Sequence, residues 1–204
     1  MNLVSLASHT IDVDLLPEEP IVLDVGCRWF DFTRGVLAHR PKARVIALDP
    51  SSDVGWEISL PLYQVTLLKV ALVGDQTTMS NFAEGIAGDG GGNHLIEGDR
   101  DGDYRIRRTG CMNIEHLMRG DGIEHFDAVK LDCEGSEFGI LENWPGPIAT
   151  QISVEWHDWD KPKYRAETYH DMILQKLPWY KRIKHDLSVQ GTGTGHWDDL
   201  FVLR

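Results

Sequence analysis

Four apolar segments of this chain run into acids. VLDVG carries Asp24, VIALDP carries Asp49, VKLDCEG carries Asp132 with Glu134 just beyond, and ISVEWHD carries Glu155, followed by His157 and Asp158. Carboxylates drawn together are costly to bury unless they hold hydroxyls, amines, backbone N–H groups or a cation. One such acid can be no more than a cap for the next helix. Four on successive strands point to a shared site. Asp24 and Asp49 stand 25 positions apart (49 minus 24), the separation of two neighbouring parallel strands around one crossover helix. Both strands then turn their C-terminal ends to the same sheet edge, where open α/β sheets bind nucleotide-like ligands and the second acid is placed for ribose hydroxyls. A small molecule carrying a ribose is the first ligand to expect.

The elements that must position these acids alternate between strand and helix. Residues 21–25 read as a central strand, and Phe32, Val36 and Leu37 fall on one face of a helix that Pro41 ends. Residues 44–48 form the next strand, 63–73 an irregular third and 77–82 a further short one. Residues 84–103, rich in glycine and acids and without periodicity, read as a flexible loop. A strand over 104–109 follows, then a short helix capped by Asn113 and carrying Ile114, Leu117 and Met118. Residues 126–131 make a buried strand, 135–141 turn into a helix, and 148–154 make one more strand. An amphipathic helix over 164–177 turns Met172, Ile173 and Leu177 inward, and the chain closes on a turn and a final strand. Residues 1–20 read as a short lead-in. With no repeats and no sign of a second domain, the pattern predicts a single α/β domain over residues 1–204, its helices on both faces of a sheet.

Composition narrows the classes. At 204 residues, 42% hydrophobic and 25% charged, the chain has the makeup of an ordinary soluble globular domain. A net charge of -12 argues against a general nucleic-acid binder, which needs clustered Lys and Arg. Cys27, Cys111 and Cys133 contain no CxxC pair, so neither a disulfide framework nor a zinc cluster is indicated; they read as small buried hydrophobes. No signal peptide and no apolar run of membrane length is evident, so no membrane partner and a cytoplasmic setting are expected. The tryptophans read mainly as core or rim packing, with Trp156 and Trp159 as alternative walls of a sugar pocket.

The segments VLDVGCRW, VIALDP and VALVGD, and above all VKLDCEGSEFGIL followed by ISVEWH, resemble the FkbM-type methyltransferases of the Rossmann-like class that uses S-adenosylmethionine. The resemblance runs from about residue 21 to 157. It implies a Rossmann-like class I methyltransferase fold, a mostly parallel sheet flanked by helices with an antiparallel strand at its C-terminal edge. It also implies that Asp24, Gly26 and the adjoining Cys27 open the cofactor loop, that Asp49 holds the ribose hydroxyls, and that Leu72 edges the adenine pocket. Asp132, Glu134 and Glu155 match acids bordering the reaction centre, Asp132 among the cofactor contacts and the two glutamates among the catalytic candidates. One departure stands out: Phe30 occupies the place of the family's second glycine, four positions after Gly26. Either the turn is wider and Phe30 enters the core, the preferred reading, or cofactor binding is weakened.

The resemblance further implies methylation of a hydroxyl oxygen on a sugar or secondary metabolite. A sulfonium methyl is already activated, so positioning does most of the work. An alcohol still needs a base within hydrogen-bond reach; His157 is the first candidate and Glu134 the alternative. Asp132, Glu134, Glu155, His157 and Asp158 offer ligands for magnesium or manganese, but spacing alone does not show that they converge, and a metal-free site is expected. Two rivals stand beside this reading: a noncatalytic S-adenosylmethionine-binding protein of the same fold, and a dinucleotide-dependent oxidoreductase. The second lacks a full GxGxxG after the first strand.

Overall fold

The computed structural model describes residues 1–52, 54, 60–61, 63–85, 93–96, 104–157, 173–186 and 196–204. Strands β1 (Leu3–Leu6) and β2 (His9–Asp12) form an antiparallel hairpin. Then come β3 (Ile21–Val25), α1 (Asp31–His39), β4 (Arg44–Leu48) and β5 (Val65–Leu68). A second group comprises β6 (Ala71–Leu72), β7 (Met79–Gly85), β8 (His94–Ile96) and β9 (Tyr104–Met112). The remainder is α2 (Ile114–Asp121), β10 (Ala128–Leu131), α3 (Glu137–Glu142), β11 (Gln151–His157), β12 (Tyr180–Asp186) and β13 (His196–Leu203).

Seven strands build the main sheet in the order β12-β13-β11-β10-β3-β4-β5. The five from β11 to β5 are mutually parallel, and β13 runs antiparallel to both its neighbours. Strands covered on both faces need apolar residues at every position, which accounts for runs such as IVLDV and RVIAL. Alternation divides their side chains between two cores. Leu23, Val25, Ile46, Leu48, Val129 and Leu131 pack with Ile114 and Leu117 of α2 and Phe138, Ile140 and Leu141 of α3. Val22, Val45, Ala47 and Ala128 pack with Phe32 and Val36 of α1 and with Leu6, Ile11 and Val13 of the N-terminal segment. A four-stranded sheet, β6-β9-β7-β8, stands beside the main one. No helix among the described residues is long and apolar enough to cross a membrane.

Three sequence expectations need correction. The final strand does not lie at the sheet edge: β13 is inserted between β11 and β12, and β12 is the edge. That strand reads YKRIKHD, whose basic residues suit an edge and hide it from a search for apolar runs. The first twenty residues are more than a lead-in, because β2 is buried along its whole length and packs against β11 and β13. The segment 84–103 is not all loop either: it holds the end of β7 and the three-residue β8, paired with each other and too short to show a period. The capping role of Asn113 is observed, its Oδ1 accepting the His116 N–H at 2.9 Å. Of the 164–177 helix, residues from 173 on are described, and Ile173 and Leu177 are buried as anticipated.

Phe30 has entered the core. It adopts a left-handed backbone (φ 60, ψ 23) just before α1, is 2% exposed, and packs with Val22, Cys27 and Phe32. A non-glycine residue in that conformation costs on the order of 1–2 kcal/mol, which its burial more than offsets. Phe30→Gly should relieve the backbone yet lose about 2–3 kcal/mol of stability overall, read as a lower denaturant midpoint.

Candidate functional site

Parallel strands bring their C-terminal ends to one edge, and the turns after β3, β4 and β10 meet there. Gly26 leaves β3 at φ +77, and a Cβ on it would lie 1.7 Å from the backbone oxygen of Asp132. A side chain would hold the turns after β3 and β10 apart. The Gly26 N–H is bonded to the Leu48 carbonyl at 2.8 Å, so all three turns are joined at this point. Beside it opens a cleft with about 650 Å³ of empty space, open solvent at its mouth included. Gly26, Asp49, Leu72, Phe82, Asp132 and Glu134 are among the residues lining it.

Asp49 is anchored at both oxygens: Oδ2 accepts the Arg28 N–H at 3.0 Å and Oδ1 the Ser51 N–H at 2.8 Å. It is thus held at the end of β4 with lone pairs remaining for a hydroxyl donor. Leu48, Val70, Leu72, Phe82 and Leu95 supply an apolar wall nearby. Asp24 lies behind the cleft, fully buried, accepting the Thr33 hydroxyl at 2.6 Å and pairing with Lys130 at 3.4 Å. Cys27 is buried among the apolar residues around Phe30, where desolvation raises its thiol pKa well above the ordinary value.

Period-two alternation puts Lys130 and Asp132 of the β10 segment, and Ser153, Glu155 and His157 of β11, on one face of the sheet. Lys130 is buried and donates to the Gly26 carbonyl at 2.6 Å while pairing with Asp132 at 3.2 Å. Burial disfavours its charge, but the Asp132 and Asp24 carboxylates outweigh that and raise its pKa. Burial likewise works against the Asp132 anion, yet Lys130 and the His9 hydrogen bond hold its carboxyl well below the usual range. Glu155 goes the other way: burial and the Asp132 charge push it up to about 7. Burial pulls the His157 imidazole down, and the carboxylates of Glu137, Glu134 and Asp132 overcome this and push it up to about 10.

The turn after β10 is strained and heavily braced. Glu134 sits at φ 54 and Gly135 at φ 101. Glu137, fully buried, accepts the Cys133 N–H at 2.7 Å and the Gly135 N–H at 2.9 Å, and its Oε1 takes a hydrogen bond from His157 Nδ1 at 3.1 Å. Strain kept in place by such bonds is characteristic of functional positions. Sequence reasoning assigned no role to Lys130 or Glu137, although both stand in the VKLDCEGSE run. It also missed His9, for which there was no signal at all. The β2 strand delivers His9, 1% exposed, into the cluster: Nε2 lies 3.4 Å from Asp132 Oδ2 and 3.8 Å from Glu155 Oε2, and Nδ1 is hydrogen-bonded with Ser153 Oγ at 3.3 Å. Burial lowers its pKa. Trp156, by contrast, is core: it is fully buried, stacks obliquely on Phe138 at 4.8 Å and donates to Asp199 at 2.9 Å. Asp158 and Trp159 lie outside the described residues.

The sheet order, the glycine-joined turns and the acid at the end of the second parallel strand define a class I methyltransferase with a Rossmann-like fold. Known proteins narrow this further. The model of the methyltransferase FkbM domain matches residues 17–185, and the chain belongs to that family. A curated relative, the 2-O-methyltransferase NoeI of Sinorhizobium fredii, is 25% identical over 202 residues, covering 88% of this chain and 80% of that protein. Among solved structures, the Methanococcus jannaschii fibrillarin pre-rRNA processing protein superposes with a TM-score of 0.55 at 10% identity, over 96% of this chain and 70% of the other. A Clostridium thermocellum protein described as an rRNA methylase gives 0.52 at 10% identity, over 94% and 90%. These two likenesses concern the fold alone.

The Gly26 contact yields a direct test. Gly26→Ala places a methyl group against a backbone carbonyl in an unfavourable left-handed conformation. It should cost about 2–4 kcal/mol, measured by equilibrium denaturation.

Proposed function

We propose that this chain is an S-adenosylmethionine-dependent O-methyltransferase acting on a hydroxyl of a sugar or a related small metabolite. The observation that carries the reading is the meeting of Gly26, Asp49, Asp132 and Glu134 on one cleft, with Glu155 and His157 at its acidic end. The residues suit the cofactor. Leu48, Leu72 and Phe82 offer apolar contact for a nucleobase, and Asp49 faces the place of a ribose. Gly26 leaves room for close backbone approach, and the Asp132 and Glu134 carboxylates favour a cationic group. Phe30 is packed away from these residues, so its presence leaves the cleft open. The relative named as a 2-O-methyltransferase supports oxygen as the accepting atom.

S-adenosylmethionine, when bound, supplies a methyl group already activated on a sulfonium. The protein's part is then to orient a hydroxyl and receive its proton. His157 is poorly placed for that: its side chain is 5% exposed, Nδ1 is engaged by Glu137, and Nε2 is enclosed by carboxylates. Glu155 is 18% exposed at the edge of the same cluster and takes the role of base. Base catalysis of this kind contributes about 10²–10⁴-fold. The acidic surroundings favour neutral polyhydroxyl acceptors over anionic ones.

Calorimetric titration with S-adenosylhomocysteine should give one binding event per chain. Asp49→Ala should weaken it about 10–100-fold, since the hydroxyl acceptor and the brace for two N–H groups go together. Absence of heat from the wild-type chain would exclude the assignment. Glu155→Gln should bind the same ligand within a factor of about three while transfer of labelled methyl to sugar hydroxyls falls about 10²–10⁴-fold.

A further inference from the structure

Methyl transfer by itself does not require the way the groups near Asp132 face one another. His157 Nε2 stands 3.6 Å from Glu134 Oε2 and 3.9 Å from Asp132 Oδ1. Both separations are too long for hydrogen bonds. Both are shorter than about 4.2 Å, twice a bond of ~2.1 Å from a metal to nitrogen or oxygen, which is the widest spacing two donors on one ion can take. One ligand atom each from Asp132, Glu134 and His157 lie within 4.8 Å of one another.

A second observation is independent of these distances: each of two donors is held from behind. The far nitrogen of His157 donates to Glu137, a buried carboxylate fixed by two backbone N–H groups, and this turns Nε2 toward the cluster. Metal-binding histidines are ordinarily oriented by just such a carboxylate on the other ring nitrogen. Asp132 is held through Oδ2 by Lys130 at 3.2 Å and His9 at 3.4 Å, which leaves Oδ1 turned to His157. The ligands come from two strand ends, β10 and β11, next to the cleft.

We propose that Asp132, Glu134 and His157 hold one divalent transition-metal ion beside the methyl-donor cleft. This departs from the metal-free site expected from the sequence. An imidazole with two carboxylates suits manganese, iron, cobalt or zinc better than calcium. Three protein ligands leave coordination positions open to a hydroxyl oxygen, whose proton an ion of this kind makes easier to remove. Glu155, whose Oε1 lies 3.9 Å from the same His157 Nε2, is the neighbouring group to take that proton. The ion binding stands apart from the cofactor reading and is measurable without donor or acceptor.

The test is titration of the chelator-treated chain with Mn²⁺ alone, following the loss of the free-ion signal by electron paramagnetic resonance. One Mn²⁺ should bind per chain. Glu134→Gln, at a side chain 23% exposed and so tolerant of replacement, should weaken binding at least about 10-fold. Glu137→Gln, behind the histidine, should weaken it about 10–100-fold. Melting curves of the variants without metal establish that they are folded. No binding by the wild-type chain, or binding undiminished in folded Glu134→Gln, would overturn the proposal. Neither result bears on S-adenosylhomocysteine affinity.

Discussion

A buried ammonium group organises the reaction side of this protein. Lys130 projects from the middle of the sheet, where its charge meets Asp24 from β3, Asp132 from its own strand end, and the carbonyl of Gly26. Removing a charge from water is expensive, and the cost is recovered only when several partners are correctly placed. The position of one cation therefore constrains the turns after β3 and β10 together. Displacing either takes a partner from a charge buried in the interior. The absent side chain at Gly26 belongs to the same arrangement, since the turn after β3 must touch the turn after β10 for its carbonyl to reach Lys130.

Around that cation the site separates into two environments. Toward Asp49 and Leu72 the cleft is apolar with one anchored acid, suited to a nucleoside. Toward β11 it is dominated by carboxylates, and there neighbouring groups set one another's protonation. Asp132, close to Lys130, keeps its anion, whereas Glu155, which has Asp132 for a neighbour, is pushed up to about 7. With no metal bound, the acids around His157 push its imidazole up to about 10. Two carboxylates separated by little in the fold thus acquire opposite tendencies, which is how one pocket comes to contain both a fixed charge and a proton acceptor.

The N-terminal hairpin completes the carboxylate end. Gln151 on β11 receives the Asp12 N–H at 2.8 Å and donates to the Asp12 carbonyl at 3.0 Å, and Lys184 on the edge strand reaches Thr10 at 2.8 Å. These bonds seat β2 on the sheet and put His9 against Asp132. The matched family region begins at residue 17, and this histidine lies before it.

The central strands, the crossover around α1, the Asn113 cap and the convergence of Asp49 and Asp132 on one edge were all legible in the residues. Their cause is local: apolar runs bounded by glycine, and a two-residue period that decides which side each acid faces. The quoted VKLDCEGSE run held Lys130 and Glu137 in plain view, but what they do depends on partners in other segments. His9 was invisible because its role arises from a contact with Asp132, 123 positions later. The order of β12 and β13 and the inward turn of Phe30 were likewise settled in three dimensions, and the proposal of Glu155 rather than His157 as base rests on burial and contacts that only the fold supplies. Pattern and propensity act over a few residues; burial, pairing of charges and the fit between turns act between segments that only the folded chain brings together.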